Sequence, residues 1–560
     1  NQLAFVSFLT APATALVQVT ALPMRVAPNL WGKYGMANTA RVMGRYMNVF
    51  KNMPKLESNA KAQRKTFRVA TLMESNIVKN SKRHRDALTR ATDEYGLIMP
   101  LSEFTMGQER TPQTAAQSGI SGFLQKSYDA MTYLFDTSEQ LTREIAFMST
   151  YDLEYDKLAD AGLSPEERQN KAIIAAKDTV NYTLGNYSSL NRPPIMKGSE
   201  LARALFLFKQ YSVITTRFFV QATRAIFGKN TPRDERVAAM KEMTGVLGMG
   251  FLMGGVVGLP LYTLGMMTLQ ALQDATDDDE DRRERMKKNP LTADSVEMQF
   301  RYEWLPEHFG QPMLTAANGK QIKLSDIILN GAVSEATGWN FGSRVSLDLA
   351  GMWFRSPKDA ETWTQTVNNA LVENIPGASA SLNMVAMGEE FAKGDVLKGL
   401  ELGLPAMLRA PIKAYRLSEE GVRTGTEKIK LRAEDISNAE IIGAALGFNP
   451  TQIAKVQQQN RDVLNSRNKL KDEKAELLGA YKQAVRRIQN GDADGQEKAR
   501  EAVEDIMEFN KKVGSPYFGI SYANMYRSLT SSAAEAKYDI QGMGLNEVES
   551  YYAEQLLNPK

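Results

Sequence analysis

The sequence predicts an all-α protein, an elongated multi-helix assembly with a glycine-rich apolar hairpin, a C-terminal helical stalk and minimal β structure. Three observations lead there. Apolar residues recur at helical spacing along most of the chain, no train of alternating strands interrupts them, and an amphipathic pattern runs unbroken after Pro450. With 560 residues, 43% apolar and 24% charged, the chain has room for several ordered units and lacks the composition of a disordered one.

Residues 1–100 read as an apolar and then basic helical region. Leu3 to Pro23 carries no charge and is apolar enough to be a second membrane candidate, although Pro12 and Pro23 are placed to kink or end a helix, so packing against other helices is expected of it. No basic stretch precedes it, as a secretory signal would require. A chain that opens on Asn1 is expected to be a processed product or an internal part of a longer protein. Residues 1–90 hold 15 Lys/Arg against 3 Asp/Glu, although the whole chain is only +3. The densest stretches place Lys61, Arg64, Lys65 and Arg68, then Lys82, Arg83 and Arg85, as candidate contacts to DNA or lipid phosphates. A solvated helix face is the alternative reading of the same charges.

Residues 101–198 read as a helical bundle. Ser138 to Leu153 has the pattern of an amphipathic helix capped by Ser138, with Arg143 and Glu144 on its polar side. A second helix is expected to start at Ser164 to Arg168, where serine, proline and two glutamates follow one another.

Residues 199–275 combine a basic amphipathic helix with a membrane-candidate segment. Arg203, Arg217 and Arg224 are 14 and 7 residues apart and share a helical stripe, with phenylalanines on much of the remaining surface. These arginines are candidates for phosphate or lipid contact; an aromatic core helix with exposed arginines is the alternative. Met243 to Gln273 then runs 31 residues without a charge. As one helix at ~1.5 Å per residue it would reach about 45 Å, against roughly 30 Å of bilayer hydrocarbon. Gly250, Gly254 and Gly258 carry GxxxG spacing, which lets helices approach closely in lipid, and Pro260 follows them. Two readings stand: membrane contact, or a buried hairpin broken at Gly258, Leu259 and Pro260.

Residues 276–415 read as mixed helix and loop. Glu303 to Leu324 has the density of proline and glycine expected of a small β-hairpin turning at Asn318-Gly319, the one β element foreseen. Residues 416–560 read as a helical hairpin or stalk. Leu464, Leu470, Leu477, Leu478, Tyr481, Val485 and Ile488 fall near one face of a long helix ending at Asn490-Gly491, followed by helices over Glu497 to Lys512 and Ala523 to Lys537. One such helix cannot bury its stripe alone, so self-association is expected.

The inventory for catalysis is thin. There is no cysteine, and two histidines, His84 and His308, lie more than 200 residues apart, each expected to pack or face solvent. Gly248, Gly250 and Gly254 miss the dinucleotide fingerprint by one position, and Gly228-Lys229-Asn230 lacks the rest of a phosphate loop. Glu74-Ser75 matches the pair used by phage peptidoglycan lyases without the sequence that should follow it. No enzyme activity, catalytic residue, cofactor or metal is expected.

Leu205 to Phe218, Ala336 to Leu347, Glu419 to Leu431, Ala439 to Val456 and Ser521 to Leu529, taken in order, resemble the C-terminal region of the large polyvalent (PLxRFG-type) proteins of tailed phages and prophages. The PLxRFG string itself does not occur in the chain. The resemblance implies an internal virion protein, held in the capsid and then placed in the host periplasm and inner membrane. There it would homo-oligomerise, together with other phage ejection or portal proteins, into a channel for genome delivery. It further implies non-specific contact with double-stranded DNA, with affinity falling as salt rises. The alternative function is an intracapsid scaffold that organises packaged DNA or carries an upstream enzyme domain.

Overall fold

The computed structural model describes residues 11–51, 72–97, 120–185, 210–276, 279–315, 321–348, 385–423, 429–514 and 518–529. The protein is all-α. Its helices of eight residues or more that are used below are α1 (Pro12–Ala21), α2 (Ala27–Tyr34), α3 (Met36–Lys51), α4 (Lys82–Asp93), α5 (Ile120–Lys157), α6 (Pro165–Thr183), α7 (Gln210–Phe227) and α8 (Arg233–Gly254). They continue with α9 (Tyr262–Thr276), α10 (Asp279–Lys288), α11 (Val396–Gly403), α12 (Ala406–Glu420), α13 (Asn438–Leu446), α14 (Thr451–Asn490) and α15 (Gly495–Val513). Strands β1 (Pro312–Thr315) and β2 (Gln321–Lys323) pair antiparallel, as do β3 (Val422–Arg423) and β4 (Ile429–Leu431). The first hairpin was foreseen and the second was not, because strands of two and three residues are too short to show alternation.

The chain divides into two compact units, residues 1–263 with 311–454, and residues 264–310 with 455–560. In the first unit, Pro12 opens α1, where a missing N–H costs nothing, and Pro23 falls in a π-helical turn, Leu22–Val26, that joins α1 to α2. Leu22, Val26 and Leu30 from this stretch pack with Tyr46, Leu88, Ile145, Phe147, Tyr151 and Ile173 in the largest core cluster. The packing expected of the apolar N-terminal stretch therefore holds for residues 11–23.

Helix α5 departs from the amphipathic helix expected over Ser138 to Leu153. It runs unbroken from Ile120, so Ser138 is not an N-cap; its hydroxyl donates to the Phe135 carbonyl at 2.8 Å. Between 135 and 153 every residue except Gln140 is buried, Arg143 and Glu144 included. A helix covered on several sides has no solvent face for charge. Arg143 instead pairs one turn back with buried Glu139 at 3.2 Å and donates to the Gly185 carbonyl at 3.1 Å. Helix α6 starts as read, with a capping box in which Ser164 and Glu167 each take the other's backbone N–H.

A second cluster joins Phe218 and Phe219 of α7 to Val246 of α8, Phe341, Leu347 and Phe448. A third gathers Ala414 and Leu417 of α12, Leu431, Ile436 and Ala444 of α13. In the second unit, Met286 of α10, Leu470 of α14 and Ile506, Phe509 and Val513 of α15 form the core, with Leu477, Leu478 and Tyr481 packed against it. Helix α14 ends at Asn490, and Gly491 turns the chain at φ +82°, the stop that Asn490-Gly491 announces. Leu464 and Ile488 from the same stripe remain exposed.

Candidate interaction surfaces and buried polar sites

The uncharged segment from Met243 to Gln273 does not form one helix. Helix α8 closes at Gly254, residues 255–261 turn, and α9 begins at Tyr262. Among the described residues, no helix is long and apolar enough to cross a membrane. The segment is broken near Gly258, Leu259 and Pro260, as the second reading expects, but it is not a buried hairpin, since α9 has no buried residue. Gly250 and Gly254 of α8 and Gly255 of the turn are closely packed. A Cβ on Gly250 would stand 2.8 Å from Leu347 Cδ1, and one on Gly254 would stand 3.2 Å from the Gly342 Cα. Gly255 holds φ +64° with its Cα against the Leu329 backbone, and Gly258 accepts a hydrogen bond from the Leu347 N–H at 2.8 Å. The GxxxG glycines thus seat residues 324–348 of the same chain. Pro260 lies in the turn that follows.

The far side of the turn is different. Helix α9 has no buried residue, and Leu261, Leu264, Met267, Leu269 and Leu272 are 49% to 63% exposed.

The basic candidates separate. Lys61, Arg64, Lys65, Arg68 and Arg203 lie outside the described residues. Arg217 and Arg224 stand exposed on α7, seven residues apart on one side as their spacing requires. Lys82 and Arg85 are exposed on α4, with Arg85 donating to the Lys79 carbonyl. Arg83 turns inward: its guanidinium lies 4.1 Å from the centre of the Tyr155 ring and 3.2 Å from Asp152. A charge committed to a cation–π contact and an ion pair is not offered to a phosphate.

Asp152 centres a polar cluster in the core. Its carboxylate accepts from the Tyr46 hydroxyl at 2.7 Å and meets His84 Nε2 at 2.8 Å, with Arg45 at 3.7 Å. Burial opposes the charge, yet hydrogen bonds from His84 and Tyr46 outweigh it and hold the carboxyl below its usual range. The same burial and the adjoining Asp152 push the Tyr46 phenol up. Of the two histidines, His84 packs in this cluster and His308 stacks on exposed Trp304 at 4.8 Å.

A second buried carboxyl sits where α8 crosses α2. Glu242 is 7% exposed and accepts from Asn29 Nδ2 at 2.8 Å; Asn29 is 2% exposed. Burial raises this carboxyl to about 7, against smaller opposing effects of the Asn29 hydrogen bond and the Lys33 charge. Sequence reasoning missed it, since a lone glutamate in RVAAMKEMTG reads as solvated. The signal available was its company: Ala238, Ala239 and Gly245 lie three or four residues from it on the same face.

A cavity of about 110 Å³ opens in the first unit between α1, α5, α6 and α7, lined by Arg25, Glu139, Arg143 and Arg344 among smaller side chains. Its charges are engaged with their neighbours: Arg25 with Thr215, Arg143 with Glu139 and Gly185, Arg344 with the Gly447 carbonyl at 2.6 Å.

These features define a helical protein whose polar groups organise packing. No family model, curated protein or solved structure matches the chain.

Proposed function

We propose that this chain is a non-enzymatic internal protein of a tailed-phage virion, expelled with the genome and self-associating in the host envelope into a conduit for DNA. The carrying observation is α9, a fifteen-residue helix with no buried side chain and an exposed set of leucines and methionines, entered through a glycine-rich turn and followed at once by an acidic stretch. Exposed apolar surface of this kind marks contact with a membrane or another protein. The resemblance of those ordered phrases to large polyvalent phage proteins supports the same reading. Arg217 and Arg224 supply positive charge on α7, which precedes α8 in the chain, and a basic surface strengthens attachment to anionic lipid or to DNA.

Mass spectrometry of intact particles and of particles that have released their DNA tests this. Presence before and loss after is the expected result. Retention in the emptied shell replaces ejection with an intracapsid scaffold, and absence from both removes the virion assignment.

A further inference from the structure

Helices α2 and α8 approach so closely at two glycines that no side chain fits there. A Cβ on Gly32 would stand 2.6 Å from the Ala238 carbonyl oxygen, and one on Gly245 would stand 2.9 Å from Pro28 Cβ and 3.3 Å from the Trp31 ring. Between these two contacts the seam encloses Asn29 and Glu242, joined by the Nδ2 to Oε1 hydrogen bond. The other half of the amide is not satisfied: Asn29 Oδ1 is buried and has no hydrogen-bond partner.

A carboxylate has only acceptors, so it cannot supply the proton this oxygen lacks. A carboxylic acid can. Protonated Glu242 would accept from the amide N–H and donate its O–H to the amide oxygen, a neutral pair in which each group completes the other. Turning the amide over changes nothing, because an acceptor would then face the carboxyl directly and again require the proton. We propose that the Asn29–Glu242 pair is a proton-operated latch on the start of the glycine-rich segment, closed across the seam when Glu242 carries a proton and loosened when it ionises.

The surroundings fit this role. Lys33 from α2 acts on Glu242 through its charge and is itself lowered, chiefly by burial, while Glu242 helps burial to raise the Tyr182 phenol of α6. From α7, Arg217 and Arg224 stand in water, and on α8 itself Lys241 is exposed. Arg25 in the π-helical turn is engaged with Thr215. Asp326, Glu335 and Arg344 belong to the helical turns that meet α8 around Met253 to Gly255, three turns away. The Lys33 charge favours the ionised form of Glu242, yet burial outweighs it, and among the described residues no cation lies within ion-pair distance of Glu242.

The sign follows from the carboxyl being raised from 4.5 to about 7. Between those values the closed seam binds more protons than the open chain, so closure weakens as pH rises through that window and is fully strengthened only below it. Met243, the first residue of the uncharged segment, is the next residue on α8, so loosening at Glu242 frees that segment's opening turns.

Hydrogen exchange read by mass spectrometry on the full chain from pH 5.5 to 8.5, with protection corrected for intrinsic exchange, tests the latch. Wild-type peptides covering 27–34 and 233–254 should lose about tenfold or more of their protection as pH rises, as linkage to one such carboxyl requires, while peptides of α15 stay constant. Glu242→Gln carries the donor and the acceptor of the protonated form and should remain protected throughout. Glu242→Met, which cannot titrate, should also give a flat profile and serves if the glutamine variant does not fold. A flat wild-type profile, a variant that follows wild type, or an equal loss in α15 overturns the proposal.

Discussion

The Tyr46 hydroxyl donates to the Asp152 carboxylate at 2.7 Å across 106 residues of sequence, and His84 meets the same carboxylate at 2.8 Å from the other side. One side chain of α5 therefore ties α3 and α4 to the buried middle of the first unit. Buried charge is tolerable only when its lone pairs are filled, and here four partners fill them.

Removing the centre should cost far more than removing one spoke. Asp152→Ala strands the His84 ring and the Tyr46 hydroxyl in the core, and the loss expected from breaking a buried charged cluster is roughly 3–5 kcal/mol. Tyr46→Phe deletes a single hydrogen bond to a charged group, worth roughly 1.5–3 kcal/mol. Because the folded-state carboxyl lies below its ordinary 3.8, its contribution is complete above that value and fades as pH falls through it. Urea titrations of wild type and Asp152→Asn at pH 7 and pH 3 measure this: the difference between the two proteins should shrink in acid.

The glycines of the uncharged segment should divide by their surroundings. Gly255→Ala forces a side chain into a positive-φ position against the Leu329 backbone, costing about 1–2 kcal/mol for the backbone with overpacking of a further 1–3 kcal/mol. Gly248→Ala and Gly265→Ala meet open space inside helices and should each stabilise by about 1 kcal/mol. Thermal melts of the three variants decide it. Equal losses at all three would mean that the glycines serve something other than this intramolecular packing.

Much of the fold was legible because it rests on local chemistry. Ser164 and Glu167 start a helix and Asn490 and Gly491 stop one, each through groups within a few residues of one another; the expected turn at Asn318-Gly319 lies outside the described residues. What could not be read depends on partners distant in sequence. Arg143 and Glu144 resemble solvent-facing charges until α5 is enclosed on several sides, and Arg83 resembles a free cation until Tyr155 and Asp152 arrive from α5. Gly250 and Gly254 stand against Leu347 and Gly342 of the same chain, and GxxxG spacing carries no record of what approaches. Glu242 shows the same limit: the seam that makes it unusual is built by Pro28, Asn29 and Gly32, more than 200 residues earlier.

Basic residues should likewise separate into structural and available ones. Arg83→Ala removes an ion pair and a cation–π contact, the latter alone worth roughly 0.5–2 kcal/mol. Lys82→Ala, Arg217→Ala and Arg224→Ala are surface changes and should stay within about 0.5 kcal/mol of wild type. If these three face phosphates, binding to duplex DNA or anionic vesicles should weaken without regard to sequence, and each substitution should lower the salt slope by about one. Filter binding over a salt series reads both effects, and an unchanged slope removes these positions from the contact surface.

Helix α9 gives the sharpest test of membrane contact, because its apolar side chains hold nothing together in the described structure. Changing Leu264, Met267 and Leu269 to serine should leave the melting temperature nearly unchanged, since all three are about half exposed or more. On a bilayer the same side chains would leave water, and full burial of one is worth roughly 1.5–3 kcal/mol. Even partial insertion of three therefore makes the triple variant bind anionic vesicles at least about tenfold more weakly. Vesicle flotation at low salt measures the difference. A wild-type protein that stays off vesicles, or a triple variant that floats as well as wild type, would assign the exposed leucines to a protein partner and take the membrane out of the proposed function.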